Sequence, residues 1–373
     1  MNRRMPHWIA KVGGGRWTVT VCAPATFRGD LGRIHATRED SELFDLRLIP
    51  VHLDRWIHFF FYGQGLRPLL KEKWDLIHMW EEPYIAAGWQ IAAMSDTKTP
   101  LVYYSCQNLA KTYPIPFRQM ERFCFRRASG WLAMGESTLK TQTERGFTGK
   151  PCEVVSPGVD IDKFRPDPDA RAAVLNRLGW DEQRIPIVGF VGRFVEEKGL
   201  RLLMSVLDGL KTRWRALFLG GGPLEPELRS WSVRYPNDVR VMTGVPHAEV
   251  PAYLDALDIL CVPSQTTPQW REQFGRVIIE AGACGVPVIG SDSGEIPAVI
   301  SDAGIVVGEN DQRSWAEALE TLLQNPQERR RLGDRARDLA VNRHSHSVIA
   351  LRLLRFFEKI LDSGGAPGGR PPG

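Results

Sequence analysis

From Ile185 onward, short apolar runs alternate with segments of helical period. They are Ile187–Val191, Leu200–Lys211, Ala216–Leu219, Pro226–Arg234, Val250–Leu257, Ile259–Val262, Val277–Ala283 and Val286–Ile289. Runs that read strand, helix, strand in repetition imply a parallel sheet with helices on both faces. The front half repeats the pattern with candidate strands at Trp17–Cys22, Leu76–His78, Leu101–Tyr104, Trp131–Met134 and Glu153–Val155. Candidate helices lie between them near Pro83–Met94, Phe117–Arg127 and Ser137–Arg145. The expected class is therefore α/β, with two doubly wound, Rossmann-like domains. Such sheets bind ligands outside the carboxyl ends of their strands, so two facing domains would place the site in a cleft between them.

Between the two alternations lies Ser156–Asp167, SPGVDIDKFRPD, rich in Pro, Gly and Asp and without regular periodicity. It reads as a linker and sets the expected domains at 1–157 and 158–346. A final helix, 347–362, is expected to pack back on the first domain, and the Gly/Pro-rich tail 363–373 to be disordered. At 373 residues and 43% hydrophobic content the chain is long enough for two separate cores. A formal charge of +4 suits holding phosphates or anionic lipid without calling for nucleic acid. The six cysteines form no CxxC pair, which argues against zinc and against a secreted disulfide framework and points to a reducing, cytoplasmic setting. No apolar run reaches the roughly 18 residues of a membrane span, so the expectation is a soluble or peripheral protein.

Trp270–Asp292, WREQFGRVIIEAGACGVPVIGSD, carries the most chemistry. A loop holding Glu272 and Gln273 runs into an apolar helix holding Glu280, and Gly285 and Pro287 end that helix before a buried strand. The helix start at Phe274, Gly275 and Arg276 presents backbone N–H groups to an anionic or hydroxylated ligand, and Gly275 lets the backbone come close. A carboxylate among Val277, Ile278, Ile279 and Ala281 needs hydrogen-bond donors. Vicinal ribose hydroxyls would serve Glu280, and sugar hydroxyls would serve Glu272. The plainer alternative is a surface Glu and a core Glu paired to an Arg.

A second stretch, Gly189–Leu200, GFVGRFVEEKGL, ends a strand at Gly192-Arg193 and brings Lys198 to the turn before the next helix. Two cations at the carboxyl end of a parallel strand suit a diphosphate and take the place of a metal ion. The alternative is a pair of solvated loop charges.

VGRFVEEKGL, the loop Gly220-Gly221-Gly222-Pro223, and the E-x7-E spacing of Glu272 and Glu280 followed by AGACGVPVIGSDSGEIPAVI resemble the retaining glycosyltransferases of family four, of GT-B fold. The resemblance covers nearly the whole carboxyl half. It implies that Arg193 and Lys198 hold the donor diphosphate, with Gly192 and Gly222 close by, and that Glu280 binds the ribose. It also implies that Glu272, with the Phe274 and Gly275 amides, holds the transferred sugar. The activity implied is transfer from a nucleotide-diphosphate-sugar co-substrate to an acceptor hydroxyl, with retention of configuration, no metal and no further cofactor.

The front half is similar through DLIHMWEEPY (Asp75–Tyr84), YSCQNLAKTYPIPF (Tyr104–Phe117) and SPGVDIDKFRP (Ser156–Pro166). These place His78, Glu82, Gln107 and Asn108 on the acceptor side. Many family members carry a histidine after the strand matching Leu101–Tyr104, where this chain has Cys106, Gln107 and Asn108, which supply hydrogen bonds but no general base. The family also opens with a strand and a Gly-rich turn ahead of its first helix, whereas Arg3–Val12 reads as the end of that helix. A truncated or mis-assigned start is expected, with an exposed sheet edge as its consequence.

Other signals weigh less. Asp160-Ile161-Asp162 matches a D-x-D metal motif but sits in the linker. Trp56, Phe59, Phe60, Phe61 and Tyr62 form either core or a surface that dips into a membrane. Arg118, Arg122, Arg126 and Arg127, interspersed with Phe117, Phe123 and Phe125, make either a solvated helix face or one for anionic lipid at the inner face of a membrane. Two rivals to transfer remain: a catalytically impaired nucleotide-sugar-binding protein and a nucleotide-sugar epimerase.

Overall fold

The computed structural model describes residues 4–29, 32–37, 43–180 and 185–363. The chain divides into two compact units, one made of Met1–Ser156 with His346–Gly373 and the other of Pro157–Ser345. The tail 364–373 lies outside the described residues.

The first unit begins with a helix, Arg4–Gly13, whose Met5 and Ile9 are buried. Its strands follow in chain order: β1 Thr20–Pro24, the hairpin β2 Thr26–Gly29 with β3 Gly32–His35, β4 Asp45–Ile49, the hairpin β5 Val51–His52 with β6 Phe61–Tyr62, then β7 Ile77–Met79, β8 Leu101–Ser105, β9 Gly130–Ala133 and β10 Cys152–Val154. β1 and β4 pair in parallel, and a separate parallel sheet runs β10-β9-β8-β7. β1 and β7 thus each have one hydrogen-bonded neighbour among the described residues. β8 and β9 are buried along their whole length, as continuous apolar runs in a helix-covered parallel sheet should be.

The covering helix is the last one, His346–Asp362, with Ile349, Leu353, Phe356, Phe357 and Ile360 on one stripe. That stripe joins Met5 and Ile9 of the first helix and Val102, Tyr104 and Leu132 of the sheet in one core. Each such side chain removed from water contributes about 1.5–3 kcal/mol before conformational entropy is counted. The expected helix 347–362 and this element coincide within a residue.

The second unit is a single six-stranded parallel sheet: β11 Ile187–Arg193, β12 Arg215–Gly221, β13 Val239–Met242, β14 Ile259–Val262, β15 Val288–Ser291 and β16 Gly304–Val307, in the order β13-β12-β11-β14-β15-β16. The helix Pro168–Leu178 opens the unit. The Asp167 side chain accepts from the Ala170 N–H at its start, and Gly179 ends it in the left-handed region. The two strands absent from the expected runs, β13 and β16, lie at the sheet's edges, where most of their residues are only half buried. No described helix is long and apolar enough to cross a membrane.

Candidate active site

In the six-stranded sheet β11 is followed by β12 and β13 on one side, while its other neighbour, β14, is followed by β15 and β16 on the opposite side. Successive connections therefore leave β11 and β14 in opposite directions, and a crevice opens at their carboxyl ends. The loops after these two strands approach closely. Gly199, with φ of +70°, leaves only 1.8 Å between a hypothetical Cβ and the Pro263 carbonyl oxygen, a distance no other residue type tolerates.

That approach brings together the ends of the two loops. Lys198 Nζ donates to Glu272 Oε2 at 2.5 Å, and Ser264 Oγ donates to the same oxygen at 2.9 Å. The ammonium also stands 4.8 Å from the centre of the Trp270 ring. The two side chains are only 20% and 10% exposed, so each charge depends on its partners for the solvation it has lost. The Glu272 main chain is fixed as well. Its carbonyl accepts from the Glu295 N–H at 3.2 Å, and its N–H reaches Ser293 Oγ at 3.5 Å. Ser293 Oγ in turn lies 2.9 Å from Thr266 Oγ1.

After Glu272 the chain passes exposed Gln273 and buried Phe274, whose ring meets His344 edge-on, and enters the helix Arg276–Ala283. Gly275 occupies the N-cap position at φ +77°, and no side chain caps this helix. Its first amides are thus left to whatever occupies the crevice.

The remaining expected donor-side residues fall close in sequence but find their own partners. Arg193, at the end of β11, is exposed and stands 3.6 Å from Glu197. Gly192 precedes it, and Gly222 follows the last residue of β12. Glu280 is paired to Arg276 one turn earlier at 3.5 Å. Burial raises its carboxyl pKa, opposed by the charges of Arg276 and Lys163. The pairing to an arginine is the plainer of the two alternatives for this carboxylate. Asp160 accepts from the backbone N–H groups of Asp162 and Lys163 and so closes a turn.

The expected acceptor-side residues are all engaged within the first unit. Glu82 accepts from Ser105 Oγ at 2.8 Å, from the Cys106 N–H at 2.6 Å and from the Gln107 N–H at 3.1 Å. It clamps the loop after β8, and its pKa is still raised because burial outweighs those bonds. Gln107 donates to Tyr113 OH at 3.1 Å and accepts from the Leu109 N–H at 3.0 Å, so both ends of its amide serve the loop itself. Asn108 is fully buried. His78 packs against Phe357 of the last helix at 5.0 Å between ring centres, its Nδ1 accepts from Trp80, and burial holds its pKa down at about 3. Glu82, Gln107 and His78 thus have partners within the unit, as polar groups in an apolar environment must.

Ser264 and Thr266 join the site from outside the sequence motifs, and Trp270 and Ser293 lie inside them without a role assigned. Ser264 follows the apolar run Ile259–Val262 and Pro263, a strand's carboxyl end, and that position is the available signal.

Among solved structures, Anabaena Alr3699/HepE in complex with UDP and glucose superimposes with a TM-score of 0.67 at 19% identity, over 79% of this chain and 80% of that one. The architecture is the GT-B glycosyltransferase fold. The description "Glycosyl transferases group 1" matches residues 176–339, and "Glycosyltransferase Family 4" matches residues 15–163. The chain belongs to the group 1, family-four glycosyltransferases. One relative, the GDP-mannose-dependent alpha-(1-6)-phosphatidylinositol monomannoside mannosyltransferase of Mycolicibacterium smegmatis, is 33% identical over 54% of this chain and 54% of its own. Another, the D-inositol 3-phosphate glycosyltransferase of Corynebacterium jeikeium, is 27% identical over 94% of this chain and 80% of its own. The alignment with the mycobacterial protein thus spans about half of that protein's length.

Proposed function

We propose that this protein transfers a sugar from a nucleotide-diphosphate-sugar donor to an acceptor hydroxyl, with retention of anomeric configuration and without a metal ion. The observation that carries the reading is the contact between Lys198 and Glu272 at the carboxyl ends of two adjacent strands, beside an uncapped helix start. In this reading Lys198 and exposed Arg193 bind the diphosphate, which puts fixed positive charge where the leaving group develops negative charge. Glu272 and the Gly275 region take the hydroxyls of the transferred sugar. Glu280 exchanges Arg276 for the ribose hydroxyls. The departing phosphate oxygen accepts the proton of the acceptor hydroxyl on the face from which it leaves, so no protein base is needed.

The donor class draws support from the UDP held in the Anabaena complex and from the GDP-mannose dependence of the mycobacterial relative. Both relatives' names carry inositol, which makes an inositol-bearing phosphate the first acceptor class to try. We place the reaction in the cytoplasm, on the inner side of the membrane. A thermal-shift panel of UDP- and GDP-sugars tests donor binding, since a ligand of the native state raises its melting temperature. The stabilising donor is then incubated with inositol phosphates and phosphatidylinositol in the presence of chelator, and the anomeric configuration of the product is read by NMR. No stabilisation by any nucleotide-sugar would sink the proposal, and stabilisation without turnover would favour a binding protein instead.

A further inference from the structure

The loop that follows β14 is anchored before it reaches Glu272. The Gln265 N–H donates to the Glu197 carbonyl at 2.8 Å, and its side-chain amide donates to Asn310 Oδ1 at 2.8 Å. The Thr266 N–H donates to Glu309 Oε2, also at 2.8 Å. A tight turn comes next: the Thr267 N–H donates to the Trp270 carbonyl at 2.7 Å, and the Trp270 N–H donates to Thr267 Oγ1 at 3.0 Å. Pro268 stands second in that turn, where its fixed φ suits the bend. Glu197, which receives the bond from Gln265, is the residue before Lys198. The main chain that presents Trp270 is thus tied to the main chain that presents the ammonium. Two anchored loops, rather than two free side chains, set the 4.8 Å between Lys198 Nζ and the centre of the Trp270 ring.

A cation within about 6 Å of an indole face is attracted by the ring's quadrupole, and the attraction grows as water is removed. Lys198 is only 20% exposed. An ammonium has three N–H donors, and Glu272 accepts from one of them. Indole bears no net charge and takes up no lone-pair contact. It therefore holds the ammonium and keeps water from it without cancelling its charge, as a second carboxylate would, and leaves donors for the oxygens of a ligand. A four-carbon side chain ordinarily loses its rotamer freedom on meeting a phosphate. Here the ring and Glu272 restrict it beforehand, which lowers the cost of binding.

We propose that Trp270 is a positioning residue of the diphosphate site: its ring orders the Lys198 ammonium in advance and leaves that charge to the donor's phosphate. The inference rests on the transfer reading, since it assigns the means by which the cation of that reading is held.

The test is isothermal titration of UDP, GDP, ADP and dTDP into the wild type and a series of variants at position 270. A nucleoside diphosphate ends in the phosphate that departs in transfer, so the contact with Lys198 is read without an acceptor. Trp270→Phe should weaken the bound nucleotide about threefold and Trp270→Leu about tenfold, because Phe keeps a weaker ring and Leu only apolar bulk. Fluorinated tryptophans placed at position 270 alone keep the shape of the ring but weaken its negative face, and Kd should rise with each added fluorine. These proteins decide the matter even where the Leu variant does not fold. In a Lys198→Met background the Trp270→Leu change should add less than about a twofold effect, because the ring acts through the ammonium. Equal losses in the Phe and Leu variants, a Kd indifferent to fluorination, or a full loss that persists without Lys198 each overturns the proposal, while nucleotide binding by the wild type keeps the transfer reading standing. A wild type that binds none of the four nucleotides overturns both.

Discussion

Lys198 and Glu272 stand 74 positions apart in the chain and 2.5 Å apart in space, and Ser264 donates to the same carboxylate. Ammonium and carboxylate neutralise each other in the absence of a ligand. In the proposed reaction a diphosphate beside Lys198 would compete for its charge and free Glu272 for a sugar hydroxyl, so that one contact would couple the two halves of the donor.

Removing either partner leaves the other charged, nine-tenths or four-fifths buried and poorly solvated. Lys198→Met is expected to lower stability by about 2 kcal/mol and transfer on the order of a hundredfold, the latter in kcat more than in KM. Glu272→Gln should keep the fold, because an amide still accepts from Ser264, while transfer falls comparably. Chemical denaturation and steady-state kinetics with the stabilising donor check both. Equal kcat in wild type and Lys198→Met would remove the leaving-group role.

Gly275 leads into the uncapped helix at φ +77°, and an added Cβ would stand 2.8 Å from Ile278 Cδ1. Gly275→Ala should destabilise the protein by about 1–2 kcal/mol and weaken donor binding more than tenfold, as the first amides turn away from the ligand. Isothermal titration with the donor measures it. An unchanged Kd would show that those amides do not bind.

Burial pushes the Glu81 carboxyl up to about 7 from 4.5, against a single weak bond from Tyr62 OH at 3.5 Å. The folded state therefore holds that proton more tightly than the unfolded chain. Stability contributed by the group is present below pH 4.5, is lost as pH rises to about 7, and changes no further above that, a span of roughly 3 kcal/mol. Glu81→Gln, neutral throughout, should gain on wild type by that order between about pH 4.5 and about pH 8 when melting temperatures are compared. A constant difference between the two would contradict it.

His78 is neutral down to about pH 3 and its Nε2 is buried without a hydrogen-bond partner. His78→Phe fills similar space without that polar atom, so stability near neutral pH should hold or rise by about 1 kcal/mol, with transfer unchanged. Loss of transfer with an unaltered melting temperature would restore a role at the acceptor.

The parts of the fold that the sequence makes legible share one physical cause. Ile259–Val262 and Leu101–Tyr104 are buried on both faces and so read as unbroken apolar runs, whereas β13 and β16 sit at edges, β13 broken by Arg240 and β16 short and partly exposed. The pattern Glu272 to Glu280 identifies the loop and the helix, but it carries no information on partners. That Glu280 meets Arg276, that Glu272 meets Ser264, and that Gln107 folds onto Tyr113 depend on which loops the sheet order brings together. In the first unit, the internal bonds of Glu82 and Gln107 are not legible, because clamping a loop and contacting a ligand favour the same residue types.

The chain passes from one unit to the other after Ser156 and returns after Ser345. The unit assembled from 157–345 is therefore continuous and complete as soon as it leaves the ribosome, while the one that starts earlier must wait for the last helix to cover Val102, Tyr104 and Leu132. Order of maturation runs opposite to order of synthesis, and a stop codon near position 345 would damage the end of the molecule that was made first.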